Sequence, residues 1–79
     1  MTTQEMAAMA RKHWKAYHPE TYREMEKRDD LIKESEAAAK LTQREMDTLM
    51  TSGMTVSEAW EASKSLFIFS DPSKDYNPD

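Results

Sequence analysis

Residues 49–69, LMTSGMTVSEAWEASKSLFIF, contain the clearest helix end and helix start in the chain. Gly53 is the only glycine and follows a periodic apolar run, which is typical of the left-handed residue that ends a helix. Leu49 and Met54 then occupy the two positions of the hydrophobic pair in a Schellman cap. Thr55-Val56-Ser57-Glu58 has the spacing of a capping box. One helix is therefore predicted to end and another to begin within about three residues, so that the two pack against each other.

The N-terminal segment predicts a first helix that begins almost at the first residue. Thr2-Thr3-Gln4-Glu5 is a second capping box, and Met1 and Met6 stand at the positions of a hydrophobic staple. Pro19 ends this helix, because the residue before a proline is kept out of the α region, and it is well suited to begin the next helix. The predicted apolar face of the first helix consists of Met6, Ala10, His13, Trp14 and Tyr17.

Between Pro19 and Gly53 the chain is rich in good helix formers, and the open question is whether it forms one helix or two. Asp29 or Asp30 is a suitable N-cap for a new helix beginning at Leu31. An unbroken helix would be about 33 residues long, well above the usual length, so a break is the favoured prediction. The predicted inward-facing residues are Tyr22 and Met25 before the break and Leu31, Ala38, Thr42, Met46, Leu49 and Met50 after it.

The C-terminal part changes character after the last helical pattern. Residues 66–69, Leu-Phe-Ile-Phe, are apolar all round, which is more than one amphipathic face can bury. They either leave the helix as an extended segment across the core or present two or three large side chains to a partner. Residues 70–79 are polar and contain two prolines, which predicts a flexible tail. The helical face before them carries Val56, Ala59, Trp60, Ser63, Leu66 and Phe67.

These patterns together predict an all-α fold. We expect a compact bundle of three to four helices in a single domain, residues 1–69, followed by the flexible tail. A chain of 79 residues buries only roughly 60% of its unfolded surface, so its core is small. Without cysteine, neither a disulfide nor a cysteine-ligated zinc site adds stability. No apolar run approaches the ~20 residues of a membrane span and no secretory signal is visible, so a cytoplasmic location is expected.

The excess apolar surface at the end of the last helix is the main candidate for a binding site. Methionines 46, 50 and 54 offer adaptable side chains, but a role in filling the small core is the favoured interpretation for them. The predicted partner-binding residues are Trp60, Leu66, Phe67, Ile68 and Phe69.

An alternative site lies in the basic and aromatic part of the first helix. Arg11, Lys12, Trp14 and Lys15 have the composition of a surface that contacts phosphates and stacks bases. Residues 1–18 carry three basic side chains and one acidic, whereas the remainder carries eight basic and fourteen acidic, for a net charge of −4. Three cations are few for nucleic acid. The favoured interpretation is that Trp14 and Tyr17 are core and the lysines are its solvated rim.

Neither metal binding nor catalysis is predicted. His13 and His18 are five residues apart, with no acidic or thiol partner at metal-ligand spacing. Acidic pairs such as Glu24 with Glu26 lie in a polar region and lack the contrasting environments that acid–base catalysis requires. No glycine-rich loop, serine elbow or cysteine nucleophile is present. We therefore expect no enzyme activity and no cofactor.

Several short motifs carry a family resemblance. Arg11-Lys12-His13-Trp14, then His18-Pro19, Tyr22, a helix ending in a Met-Thr-Val capping signal, and Ala59-Trp60 follow one another in this order. In this order the chain resembles small helical proteins encoded by bacterial phages and mobile elements, including the transposon-encoded TnpV family. The resemblance covers roughly residues 11–69 and departs from that family in the short C-terminal end, so no functional residue carries over. It implies a mobile-element origin and a non-enzymatic accessory role.

Three functional hypotheses follow from the sequence. The first is a protein-binding module, for example a phage-type inhibitor of a host defence enzyme such as an anti-CRISPR protein. The second is an accessory nucleic-acid-binding protein that uses the basic first helix. The third is a homo-oligomeric structural protein whose residues 66–69 are buried against a second copy.

Overall fold

The computed structural model describes residues 2–72 and is 82% helical. Within these residues there are four helices and no strand, which confirms the predicted all-α bundle. The helices are α1 (Thr3–Tyr17), α2 (Pro19–Lys27), α3 (Leu31–Thr51) and α4 (Val56–Phe67).

Helix α3 is the centre of the bundle, because both α1 and α4 pack against it, while α2 packs mainly against α1. Helices α1, α3 and α4 each carry small buried residues, which allow their backbones to approach closely. Trp14 is the largest fully buried side chain. The core consists of Met6, Ala7, Ala10, Trp14, Met25, Leu31, Ala38, Ala39, Met46, Ala59 and Ile68.

Both predicted capping boxes are confirmed. The Thr2 N–H donates to Glu5 Oε1 at 2.8 Å, and the Glu5 N–H donates to Thr2 Oγ1 at 3.1 Å. The corresponding distances between Thr55 and Glu58 are 2.9 and 3.2 Å. The hydrogen bonds with the Thr2 backbone and hydroxyl stabilise the carboxylate and lower the pKa of Glu5. The staple predicted for Met1 lies outside the described residues.

The predicted Schellman cap at the end of α3 is also confirmed. Gly53 has a φ of 114°, in the region that favours glycine. The Met54 N–H donates to the Leu49 carbonyl at 3.1 Å, and the Gly53 N–H donates to the Met50 carbonyl at 3.0 Å. These are the two hydrogen bonds that define the motif.

The favoured break between α2 and α3 is confirmed, but its geometry was not predicted. Asp29 has a φ of 61°, the left-handed conformation normally taken by glycine. The Asp30 N–H donates to the Met25 carbonyl at 2.8 Å and the Asp29 N–H to that of Glu26 at 3.1 Å, so α2 also ends in a Schellman cap. Asp30 is the N-cap of α3, but its carboxylate accepts from Arg28 Nε at 3.0 Å instead of capping the helix.

Residues 66–69 adopt a third arrangement, distinct from both predicted alternatives. Helix α4 ends at Phe67, and the Lys64 carbonyl accepts from the N–H groups of both Ile68 and Phe69, at 3.1 and 2.9 Å. Ile68 keeps a helical φ and ψ and is fully buried in the core. The segment therefore turns into the bundle instead of extending across it.

The first residues of the predicted tail, 70–72, make contacts with the preceding part of the chain. The Ser70 hydroxyl donates to the Leu66 carbonyl at 3.1 Å, and Pro72 is buried. Residues 70–72 thus continue the packed part of the chain, because the turn at Ile68 directs them back towards the bundle. The rest of the predicted flexible tail, residues 73–79, lies outside the described residues.

Candidate functional site

Four rings in succession form a strip between α1 and the end of α4. The ring centroids of Tyr17 and His13 are 4.6 Å apart, those of His13 and Phe69 5.1 Å, and those of Phe69 and Trp60 6.2 Å. All three separations are within the range of favourable aromatic contacts. We call Tyr17, His13, Phe69 and Trp60 the ring strip.

The ring strip is assembled by the local structure of three parts of the chain. His13 and Tyr17 are four residues apart on α1, so they lie on one side of that helix. Trp60 lies on α4, and Phe69 is brought between the two helices by the turn after Phe67. The turn that buries Ile68 therefore places Phe69 between the rings of α1 and the ring of α4.

The ring strip is accessible to solvent along its length. Tyr17 is 71% exposed, and His13, Phe69 and Trp60 are half-buried. Such partly exposed aromatic side chains are enriched where proteins bind other proteins. The prediction that Tyr17 is core is wrong, because Tyr17 is the last residue of α1 and the chain turns at His18 before packing resumes.

A pair of histidines lies at the α1 end of the ring strip. The His13 and His18 ring centroids are 5.8 Å apart, and His18 Nδ1 is 4.0 Å from Asp71 Oδ2. Partial burial disfavours the imidazolium form and lowers the pKa of His13, and the nearby His18 adds to this effect. Within residues 2–72 no group of three His, Asp or Glu side chains has the arrangement of a metal site.

The predicted partner-binding residues do not form one surface. Trp60, Phe67 and Phe69 are half-buried and pack against the core, and Ile68 is fully buried, so it is not available to a partner in this conformation. Leu66 is 47% exposed, but it is six residues from Trp60 and therefore about 120° away around α4. The apolar surface is thus divided between two sides of the helix.

The predicted nucleic-acid-binding residues all lie on α1 but differ in exposure. Trp14 is fully buried, so its ring is not available for stacking on a base. Arg11 is half-buried and donates from Nη1 to Ser35 Oγ at 2.8 Å, which fastens α1 to α3. Lys12 and Lys15 are exposed. Two of the four side chains therefore have structural roles, because α1 buries the face that carries Trp14.

The three methionines considered as a partner surface differ in exposure. Met46 is buried, Met50 is half-buried, and Met54 is 39% exposed beside Gly53. Core filling, the favoured interpretation, holds for Met46, whereas Met54 contributes to the exposed end of the bundle.

Besides the ring strip, the bundle has shallow depressions on its surface. One, of about 300 Å³, lies between α1 and α2 and is lined by Lys15, Pro19, Tyr22, Arg23 and Glu26. Its cationic side chains are exposed, and Arg23 Nε donates to the Pro19 carbonyl at 3.4 Å. The lining carries charges of both signs and therefore indicates no particular ligand.

Comparison of the chain with protein-family models, curated proteins and solved structures returns no match. The resemblance to TnpV-like and other mobile-element proteins therefore stays a prediction. None of the helices in the described part of the chain is both long enough and apolar enough to cross a membrane.

Proposed function

We propose that this chain is a non-enzymatic protein-binding module that acts in the cytoplasm and binds its partner through the ring strip. The observation that carries the proposal is the unbroken contact of four partly exposed rings between α1 and α4. Aromatic side chains offer large contact areas at a low cost in conformational entropy, and binding energy is concentrated on such residues.

Tyr17 is the residue in the ring strip that we expect to contribute most to binding. It is the most exposed of the four rings, so a partner can bury most of its surface. Its hydroxyl also allows a directional hydrogen bond at the edge of an apolar contact. Leu66, on the other side of α4, is expected to make a separate and smaller contribution.

Photocrosslinking from position 17 tests the proposal in cells that encode the chain. The photoreactive amino acid benzoylphenylalanine replaces Tyr17 in one variant and Ile32 in a control variant, because Ile32 is also exposed, at 55%, but lies on α3 outside the ring strip. We expect a covalent adduct with one protein from position 17 and not from position 32. Equal adducts from both positions, or none from position 17, would contradict the proposal.

The mass of the adduct separates the proposal from self-association. An adduct of the chain with a second copy of itself would support the homo-oligomeric alternative. An adduct with a different protein supports a binding module. No observation in the structure favours the nucleic-acid alternative, because Trp14 and Arg11 are engaged within the bundle.

A finer form of the proposal is that the partner is a host defence enzyme and that the chain inhibits it, as an anti-CRISPR protein does. The support for this form is the small size, the charge asymmetry and the mobile-element resemblance of the sequence. The identity of the protein captured at position 17 tests it. A captured protein with no defence activity would exclude the finer form and leave the binding module in place.

A further inference from the structure

Residues 68–72 are fastened to the end of α1 at two points that involve histidine. The Phe69 ring packs on the ring of His13 at 5.1 Å, and Asp71 Oδ2 lies 4.0 Å from His18 Nδ1. Ile68 and Pro72, which belong to the same segment, are both buried. The segment is therefore held by contacts with two imidazoles whose centroids are 5.8 Å apart.

We propose that residues 68–72 form a pH-sensitive clasp that is closed while His13 is neutral and opens when His13 takes up a proton. In the closed form the half-buried imidazole lies among three rings, those of Tyr17, His18 and Phe69, where a charge is less well hydrated than in open water. Lifting the segment returns His13 to water, which hydrates the imidazolium and screens it from His18.

The direction of the pH effect follows from the closed form. Because burial and His18 lower the pKa of His13 while the clasp is closed, the open form binds a proton more readily. Well above pH 6.5, the ordinary pKa of histidine, the imidazole is neutral in both forms and the clasp has its full stability. As the pH falls below 6.5 the open form gains protons first, so acid favours opening.

Other charged groups around the histidines modify this effect. The Asp71 carboxylate lies beside the His18 ring and favours the closed form through this contact. Tyr17, at the α1 end of the ring strip, packs its ring against His13. Lys64, which lies one turn after Trp60 on α4, is paired with Glu61 on the same helix. Glu20 on α2 lines the same depression as Tyr17 and His18.

Opening of the clasp changes what the surface offers to a partner. Ile68 and Phe69 would leave the bundle and present the apolar side chains that the closed form covers. This consequence rests on the proposed function, whereas the opening itself does not. If the clasp opens but no partner is captured at position 17, the proposed function fails and the clasp stands. If a partner is captured and the clasp does not open, only the clasp fails.

The chain is well suited to a direct measurement, because it contains only two isoleucines, Ile32 and Ile68. Selective labelling of their methyl groups with carbon-13 gives one buried reporter in the clasp and one exposed reference on α3. We expect the Ile68 methyl resonance to shift towards the position of an exposed isoleucine between about pH 7.5 and about pH 5, in step with the titration of His13. In a second sample with labelled methionine methyl groups, the resonance of the buried Met46 should stay constant and so exclude general unfolding.

Two variants distinguish the clasp from a general acid effect. His13→Phe keeps a ring against Phe69 without a titratable proton, so its Ile68 resonance should stay in the buried position over the same range. Asp71→Asn removes the carboxylate that lies against His18, so its clasp should open more readily than that of the natural chain. An Ile68 resonance that is unchanged through the titration of His13, or that moves identically in His13→Phe, would overturn the proposal.

Discussion

At the scale of single residues, two buried serines show how position decides the effect of a hydroxyl group. Ser35 Oγ donates to the Ile32 carbonyl at 3.0 Å and accepts from Arg11 Nη1 at 2.8 Å. Ser63 Oγ is equally buried but has no hydrogen-bond partner among residues 2–72. An unpaired buried hydroxyl costs roughly 1–3 kcal/mol. The two serines are therefore expected to contribute to stability with opposite signs.

Replacing each serine with alanine tests this expectation. Ser63→Ala should raise the free energy of unfolding by about 1 kcal/mol, since it removes an unpaired polar group and introduces a better helix former. Ser35→Ala should lower it by about 1–2 kcal/mol, since it leaves the half-buried guanidinium of Arg11 without its acceptor. Urea unfolding followed by circular dichroism measures both. Changes of the same sign in the two variants would contradict the assigned hydrogen bonds.

At the scale of helices, the two Schellman caps compare a residue that suits the left-handed conformation with one that does not. Gly53 occupies the cap of α3, with open space where a Cβ would be. Asp29 occupies the equivalent position of α2 with a φ of 61°. The left-handed conformation costs most L-residues roughly 1–2 kcal/mol, and aspartate somewhat less. The end of α2 therefore carries a strain that the end of α3 lacks.

Substitutions at the two caps should change the free energy of unfolding in opposite directions. We expect Asp29→Gly to raise the free energy of unfolding by about 0.5 kcal/mol, after allowance for the greater freedom of glycine in the unfolded chain. Gly53→Ala should lower it by about 1 kcal/mol through backbone strain alone, since no atom lies near the added methyl group. Thermal unfolding of both variants beside the natural chain provides the comparison. A destabilised Asp29→Gly would show that the left-handed geometry does not determine the cost at this position.

The helices also show which features the sequence predicts and which it does not. The Thr2 and Thr55 capping boxes and the Gly53 cap depend on residues within one turn, so their spacing was sufficient to predict them. The sequence does not predict the cap at Asp29, because aspartate is uncommon at that position. The burial of Ile68 depends on packing between elements that are distant in the sequence, which periodicity does not describe.

The candidate site, too, is predicted by the sequence only in part. The sequence indicated an excess of apolar surface after Leu66, and Trp60 and Phe69 belong to the ring strip. It did not predict that His13 and Tyr17 complete the strip, because an apolar face on α1 was assigned to the core as a whole. A spacing of four residues places both on one side of α1. Only the folded chain shows that this side borders the turn after α4.

At the scale of the whole molecule, the fold brings a side chain of the first helix into contact with the turn that follows the last helix. Helices α1 and α4 both pack against α3, and the turn at Ile68 closes the space between them with Phe69. The strip of rings that results is an outcome of the topology and not of any single motif. Its role in binding a partner is the central claim of the proposed function.

The affinity of the purified chain for the protein captured at position 17 tests this claim most directly. Isothermal titration calorimetry compares the natural chain with Tyr17→Ser and with the control Ile32→Ser, both of which replace exposed side chains. If the ring strip is the binding surface, Tyr17→Ser weakens binding by about tenfold or more, whereas Ile32→Ser stays within about twofold. Equal dissociation constants for Tyr17→Ser and the natural chain would contradict it.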